Sequence, residues 1–121
     1  HRDVRPSNFF ITDSGELLLN DWADAVPLGE KADAYCGAPQ LYKAPWIDSD
    51  LNMDEYYPAI RDDLYSFVMS CYAASCWDCP REALPIKINQ LPPAWEEALE
   101  VAKNSNHDDV LNAVMQLISR E

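Results

Sequence analysis

Asp3, Asn8 and Asp21 are the residues whose types and spacing suit ion chemistry, and they stand in the opening stretch "HRDVRPSNFFITDSGELLLNDW". Two apolar runs, Phe9 to Ile11 and Leu17 to Leu19, flank "TDSG", a turn signal. That pattern predicts a β-hairpin. A hairpin returns on itself, so Asn8 before the first strand and Asp21 after the second fall at one end of it, with Asp3 nearby. Two carboxylates and an amide oxygen meeting there suit a hard divalent cation. Magnesium takes oxygen ligands and keeps phosphates and waters among them. A carboxylate left free of the metal can orient a hydroxyl nucleophile. Each residue alone has a plainer explanation, because Asp and Asn commonly bond their own backbone at turns. The combination is what points to chemistry.

The rest of the chain must hold that end in place. Residues 24–46 show no period and contain Pro27, Gly29, Gly37, Pro39 and Pro45, which predicts a long irregular loop. A polar stretch leads into "RDDLYSFVMSCYAASCW", where Leu64, Phe67, Val68, Cys71 and Tyr72 recur at helical spacing. This helix is apolar nearly all round and is expected at the centre of the fold. Residues 80–92 hold three prolines and connect. "PPAWEEALEVAKN" opens with prolines before acids, a favourable helix entry. In "NHDDVLNAVMQLISRE" Asn106 is the expected N-cap, with Asp108 and Asp109 in the first turn. Val110, Val114, Leu117 and Ile118 form the apolar stripe expected in the core. The fold class is α+β and mainly helical, in a single domain over residues 1–121.

Composition narrows the function classes. The 121 residues are 48% hydrophobic and 25% charged, a globular balance. Acidic residues number 21 against 9 basic, for a formal net charge of −12. Such an excess repels phosphate backbones and anionic membranes, so neither nucleic acid nor membrane is expected as a partner. No apolar run approaches the roughly 18 residues of a spanning helix, and no signal-peptide pattern opens the chain. The absence of an initiator Met points to a processed chain or a piece of a longer one. Cys71, Cys76 and Cys79 cluster, with Cys36 apart. Paired C-x-x-C knuckles are missing, so free thiols are expected rather than a zinc site or a disulfide framework. Reduced thiols fit an intracellular, cytoplasmic setting.

The spacing of the chemical residues resembles the catalytic core of eukaryotic-type protein kinases, whose signature runs H-R-D-L-x-x-x-N, then D-F-G, then A-P-E. Here stand His1-Arg2-Asp3-Val4-Arg5-Pro6-Ser7-Asn8, then Asp21-Trp22-Ala23, then Ala44-Pro45-Trp46. "CGAPQLYKAP" is similar to the approach to A-P-E, and "DDLYSF" to the start of the family's central helix. The motifs cover residues 1 to about 79. The resemblance implies a partial C-lobe with the catalytic loop, hairpin, activation segment, central helix and two further helices. It casts Asp3 as the catalytic base and Arg5 as the basic residue at the transferred phosphate. It makes Asn8 and Asp21 the magnesium ligands and has Arg2 reach the activation segment. It has Asp63 tie the central helix to the catalytic loop that His1 opens. The implied cofactors are Mg2+ and ATP, and the implied chemistry is phosphoryl transfer to protein serine or threonine.

The departures from that pattern are specific. D-F-G reads Asp21-Trp22-Ala23, the A-P-E glutamate is Trp46, a threonine near the substrate is Ala38, and a glycine of the central helix is Val68. Residues 21–46 contain no serine or threonine, leaving Tyr35 and Tyr42 as the phosphate acceptors there. Asp24, Glu30 or Asp33 is instead expected to give Arg2 a standing negative partner. The glycine-rich loop, strand lysine and helix glutamate of a nucleotide-binding N-lobe are not in these residues, so this piece alone is expected to be inactive. Its expected partners are a protein substrate and the missing N-lobe or a partner chain. Two alternatives stand beside this reading. One is a pseudokinase-like binding scaffold. The other is a small-molecule phosphotransferase of the aminoglycoside or choline kinase type, which also carries D-W after the hairpin.

Overall fold

The computed structural model describes residues 1–32, 41–48, 56–75, 91–104 and 106–119. It is mainly helical with one small two-stranded sheet. A single 3-10 turn, Pro6–Asn8, leads directly into strand β1, Phe9–Ile11. β1 pairs antiparallel with β2, Leu17–Leu19, in the register Phe9 to Leu19, Phe10 to Leu18 and Ile11 to Leu17. The strands lie where the two apolar runs predict them. The turn between them closes through Gly15 N–H to the Thr12 carbonyl, at 2.9 Å, and Thr12 N–H to the Glu16 carbonyl, at 2.8 Å. Gly15 has φ 87, a left-handed value that the missing Cβ makes inexpensive.

Four helices follow among the described residues: α1, Pro45–Asp48; α2, Ile60–Ser75; α3, Pro93–Ala102; and α4, His107–Ile118. The irregular loop predicted to run to 46 therefore ends earlier, since α1 opens at Pro45. Proline's fixed φ suits a first helical turn, and its missing N–H removes nothing a helix start needs. α2 is central. Tyr65, Val68, Met69 and Ala73 are buried, and so are the polar Asp62, Ser66 and Ser70. Trp95, Ala98, Leu99 and Ala102 line the inner face of α3 at i, i+3, i+4 and i+7. Trp95 meets Tyr72 of α2 edge-to-face at 5.3 Å between ring centres.

Asn106 caps α4 by accepting from Asp109 N–H at 3.2 Å. Val110 and Val114 are buried and Leu117 packs against the same core. Ile118, expected in that stripe, is instead 53% exposed. At about 100° per residue it lies about 80° round the helix from Val110, beside Leu111 and Met115, and all three face outward. No helix is long and apolar enough to cross a membrane among the described residues.

The cysteine cluster is described only at Cys71, a free thiol that burial pushes up to about 11. Cys36, Cys76 and Cys79 lie outside the described residues, as do Tyr35, Ala38 and the connection expected over 80–90.

Candidate functional site

Asn8 ends the 3-10 turn, and the geometry there follows from Pro6. Proline at the turn's first position lets Asn8 N–H reach back to the Arg5 carbonyl at 3.0 Å. The Asn8 side chain is thereby folded inward. Its Nδ2 donates to the Asp3 carbonyl at 2.7 Å and to Asp3 Oδ2 at 3.1 Å. Both amide donors of Asn8 are engaged with Asp3, so the amide oxygen is its free end. Among the described residues that oxygen accepts no hydrogen bond. Asp3 is 5% exposed. Its other oxygen, Oδ1, lies 3.1 Å from Arg5 Nε as an ion pair, off the angle of a hydrogen bond. A buried carboxylate must be compensated, and Arg5 and Asn8 do so from opposite sides.

The loop that carries Asp3 is strained and externally held. Arg2 has φ 74, costing roughly 1–2 kcal/mol for a residue with a side chain. Such a conformation persists only where its surroundings over-determine it. Asp63, in the first turn of α2, does this. Its Oδ2 accepts from the His1 backbone nitrogen at 2.7 Å and its Oδ1 from Arg2 N–H at 2.9 Å. The His1 ring braces the loop from the other side. Its Nδ1 accepts from Asp3 N–H at 3.1 Å, so the ring proton sits on Nε2, which donates to the Asn20 carbonyl at 2.8 Å.

Asn20 links the two ends of the hairpin. Its N–H donates to the Asn8 carbonyl at 2.7 Å. Asp21 follows at the exit of β2 with φ 60, exposed, and its carboxylate takes no hydrogen bond or ion pair from the described residues. Trp22 turns back over the hairpin: its Nε1 donates to the Leu19 carbonyl at 2.9 Å, and its ring meets the His1 ring edge-on at 4.7 Å. Arg2 reaches the following segment through the Asp24 backbone carbonyl, at 3.4 Å from Nη1. Asp33 lies outside the described residues.

Sequence reasoning missed a second carboxylate, Asp62. It is 6% exposed and accepts three hydrogen bonds. Trp46 Nε1 donates to Oδ1 at 2.6 Å; Ala59 N–H, at 3.0 Å, and the Tyr56 hydroxyl both donate to Oδ2. Burial, followed by the bond to Asp62 and its charge, pushes the Tyr56 phenol well above its usual range. One turn further along α2, Ser66 Oγ donates to the Tyr42 carbonyl at 2.5 Å. The available signal was the spacing of Asp62, Ser66 and Ser70, polar residues four apart on a helix that is otherwise apolar.

The chemistry open to this arrangement follows from what each atom already does. Asn8 Oδ1 and the Asp21 carboxylate are hard oxygen donors with no other engagement among the described residues, the donor type that a magnesium-type ion takes. Asp3 is buried, oriented and beside a guanidinium. No cluster of three or more His, Cys, Asp or Glu side chains is assembled among the described residues, so no all-protein metal cage is present there. No family model matches this chain, and it matches no curated protein and no solved structure.

Proposed function

We propose that this chain is the C-lobe portion of a protein-kinase-like phosphotransferase that acts on protein serine or threonine with ATP and magnesium. The observation that carries the reading is the division of labour at Asn8. Its amide nitrogen fixes Asp3 at 2.7 and 3.1 Å, while its amide oxygen is left for a cation. In this reading Asn8 and Asp21 hold magnesium, which when bound neutralises charge on the nucleotide's phosphates. Asp3 accepts the proton of the attacking hydroxyl through a carboxylate oxygen. Arg5 holds that carboxylate in place and lends positive charge toward the phosphoryl group. His1, Arg2 and Asp63 bear the strain of the loop.

The test is phosphate transfer from labelled ATP to a serine- or threonine-containing protein substrate, in a form that carries the nucleotide-binding lobe the resemblance calls for. Asp3→Asn is expected to reduce turnover at least about 100-fold, the scale of a general base, and Asp21→Ala to abolish activity together with magnesium-dependent ATP binding. Magnesium-dependent ATP binding that is absent, and unaffected by Asp21→Ala, defeats the enzyme reading and leaves the scaffold. Transfer to small alcohols or amines but not to peptides moves the assignment to the small-molecule phosphotransferases.

A further inference from the structure

Asp62 and its donors are not needed to build Asp3, Asn8 or Asp21, yet they form the most fully satisfied polar cluster among the described residues. Trp46 stands at its centre. Its indole N–H bonds Asp62 at 2.6 Å, its ring meets Tyr65 edge-on at 5.4 Å, and the Arg61 guanidinium lies over the ring, 4.9 Å from its centre. Trp46 belongs to α1, and Asp62, Arg61 and Tyr65 belong to α2. The contact therefore fastens the end of the 41–48 segment to the first turn of the central helix. The same turn fastens the Asp3 loop through Asp63, the next residue. Neighbouring carboxylates on one rigid turn thus hold two segments in a fixed relation.

We infer that Asp62 is a positioning residue: through Trp46 and Tyr56 it sets residues 41–48 against the Asp3–Arg5 pair. This rests on the phosphotransfer reading for its purpose, though not for its structural test. The segment and the site are linked through Ser66 and Tyr42. Ser66, one turn beyond Asp62, holds the Tyr42 carbonyl at 2.5 Å, and the Tyr42 phenol lies in the field of Arg5. Arg5 in turn lies 3.1 Å from Asp3. Displacing residues 41–48 would therefore change the surroundings of Arg5. Trp46 is consequently not an empty vestige of a lost glutamate. A glutamate at 46 would set a second carboxylate against the buried one of Asp62, with the indole donor gone.

The test compares Trp46→Phe, Asp62→Asn, their combination and Trp46→Glu by amide hydrogen exchange on the full chain. Trp46→Phe retains an aromatic ring and removes only the donor. Loss of a bond to a charged acceptor is expected to speed exchange at Ile47 N–H, which bonds the Ala44 carbonyl, by at least about tenfold. Exchange in α3 and α4 should stay within about twofold of the parent. The double variant should be no worse than Asp62→Asn alone, and Trp46→Glu should be worse than Trp46→Phe. The Tyr42 phenol, followed by NMR, should titrate closer to 10 in the single variants as it leaves its buried setting. Unchanged exchange at 44–47, an equal rise in α3 and α4, or a Trp46→Glu variant as protected as the parent overturns the proposal. Turnover separates this from the wider reading. An active enzyme whose Asp62→Asn variant raises the KM for the hydroxyl substrate and leaves the KM for ATP unchanged supports both. Localised exchange in a protein that transfers no phosphate keeps the clamp and removes the phosphotransfer.

Discussion

Asp63→Ala should destabilise this protein by about 2 kcal/mol, and the figure can be worked from two bonds and one dihedral. The carboxylate accepts from the His1 backbone nitrogen at 2.7 Å and from Arg2 N–H at 2.9 Å. Hydrogen bonds to a charged group are worth about 1.5–3 kcal/mol each. The Asp63 side chain is 35% exposed, so water screens it and the low end applies, about 3 kcal/mol for the pair. Against this, a freed loop can relax Arg2 from φ 74, recovering about 1 kcal/mol of backbone strain. For a chain of this size the net loss corresponds to a fall in Tm of roughly 8 °C. Thermal unfolding followed by circular dichroism measures it, and exchange at Asp3 N–H reports whether the loop has opened locally. A second substitution isolates the strain. Arg2→Gly in the parent, where Asp63 still holds φ 74, should add about 1 kcal/mol because glycine adopts that φ freely, and in the relaxed Asp63→Ala background it should add little. A Tm within 2 °C or so of the parent for Asp63→Ala, or no gain from glycine in the parent, refutes the reasoning that Asp63 holds a strained loop.

Three further outcomes are expected. Val68 is fully buried at the centre of α2, so Val68→Ala should cost about 2 kcal/mol in chemical denaturation, and Val68→Gly, the residue of the kinase pattern, about 1 kcal/mol more. Asn106→Ala should cost about 1 kcal/mol, read in the same way, through loss of the cap on Asp109 N–H. Burial pushes the Cys71 thiol up to about 11 from its ordinary 9.0, so the folded state holds its proton where the unfolded state releases it. Its contribution to stability is complete below pH 9 and declines as pH rises toward 11. Thiol-alkylation rates at Cys71 should be far slower in the folded chain than in denaturant at pH 8, while equal rates would place the thiol in solvent.

The sequence makes the local elements legible because their signals are local. "TDSG" between two apolar runs requires a reversal, Asn106 followed by two aspartates marks a helix start, and the prolines before Ala94 mark another. Ile118 was misplaced for a related reason. Its hydrophobicity says that it can be buried, but only its angle round α4 says that it is not. Asp62 was not legible as a clamp because its three donors come from positions 46, 56 and 59, and nothing in a one-dimensional string says that an indole will reach it. At the site, the Asp3–Asn8 contact could be anticipated from a five-residue spacing closed by Pro6. The direction of the Asn8 amide could not, because nitrogen and oxygen occupy similar space and only the surrounding donors and acceptors distinguish them.

The positions that depart from the kinase pattern and the preserved ones differ in what their side chains are bonded to, and this bears on the two readings. Trp46 and Trp22 both direct their indole N–H to a local acceptor, Asp62 in one case and the Leu19 carbonyl in the other. Val68 fills space inside the core. Each change is absorbed by packing or by a bond made within its own neighbourhood. Such changes stabilise a fold whether or not it performs chemistry, so they do not by themselves favour a scaffold. Asn8 Oδ1 and the Asp21 carboxylate are different, since they contribute no hydrogen bond to the described residues and stability alone does not require them. Asp21 takes a left-handed backbone, φ 60, which aspartate adopts more readily than most residues. In the proposed phosphotransfer reading the Asn8 and Asp21 oxygens are those left for a cation, whereas the scaffold reading gives them no use, so a magnesium titration of the parent against Asp21→Ala separates the two.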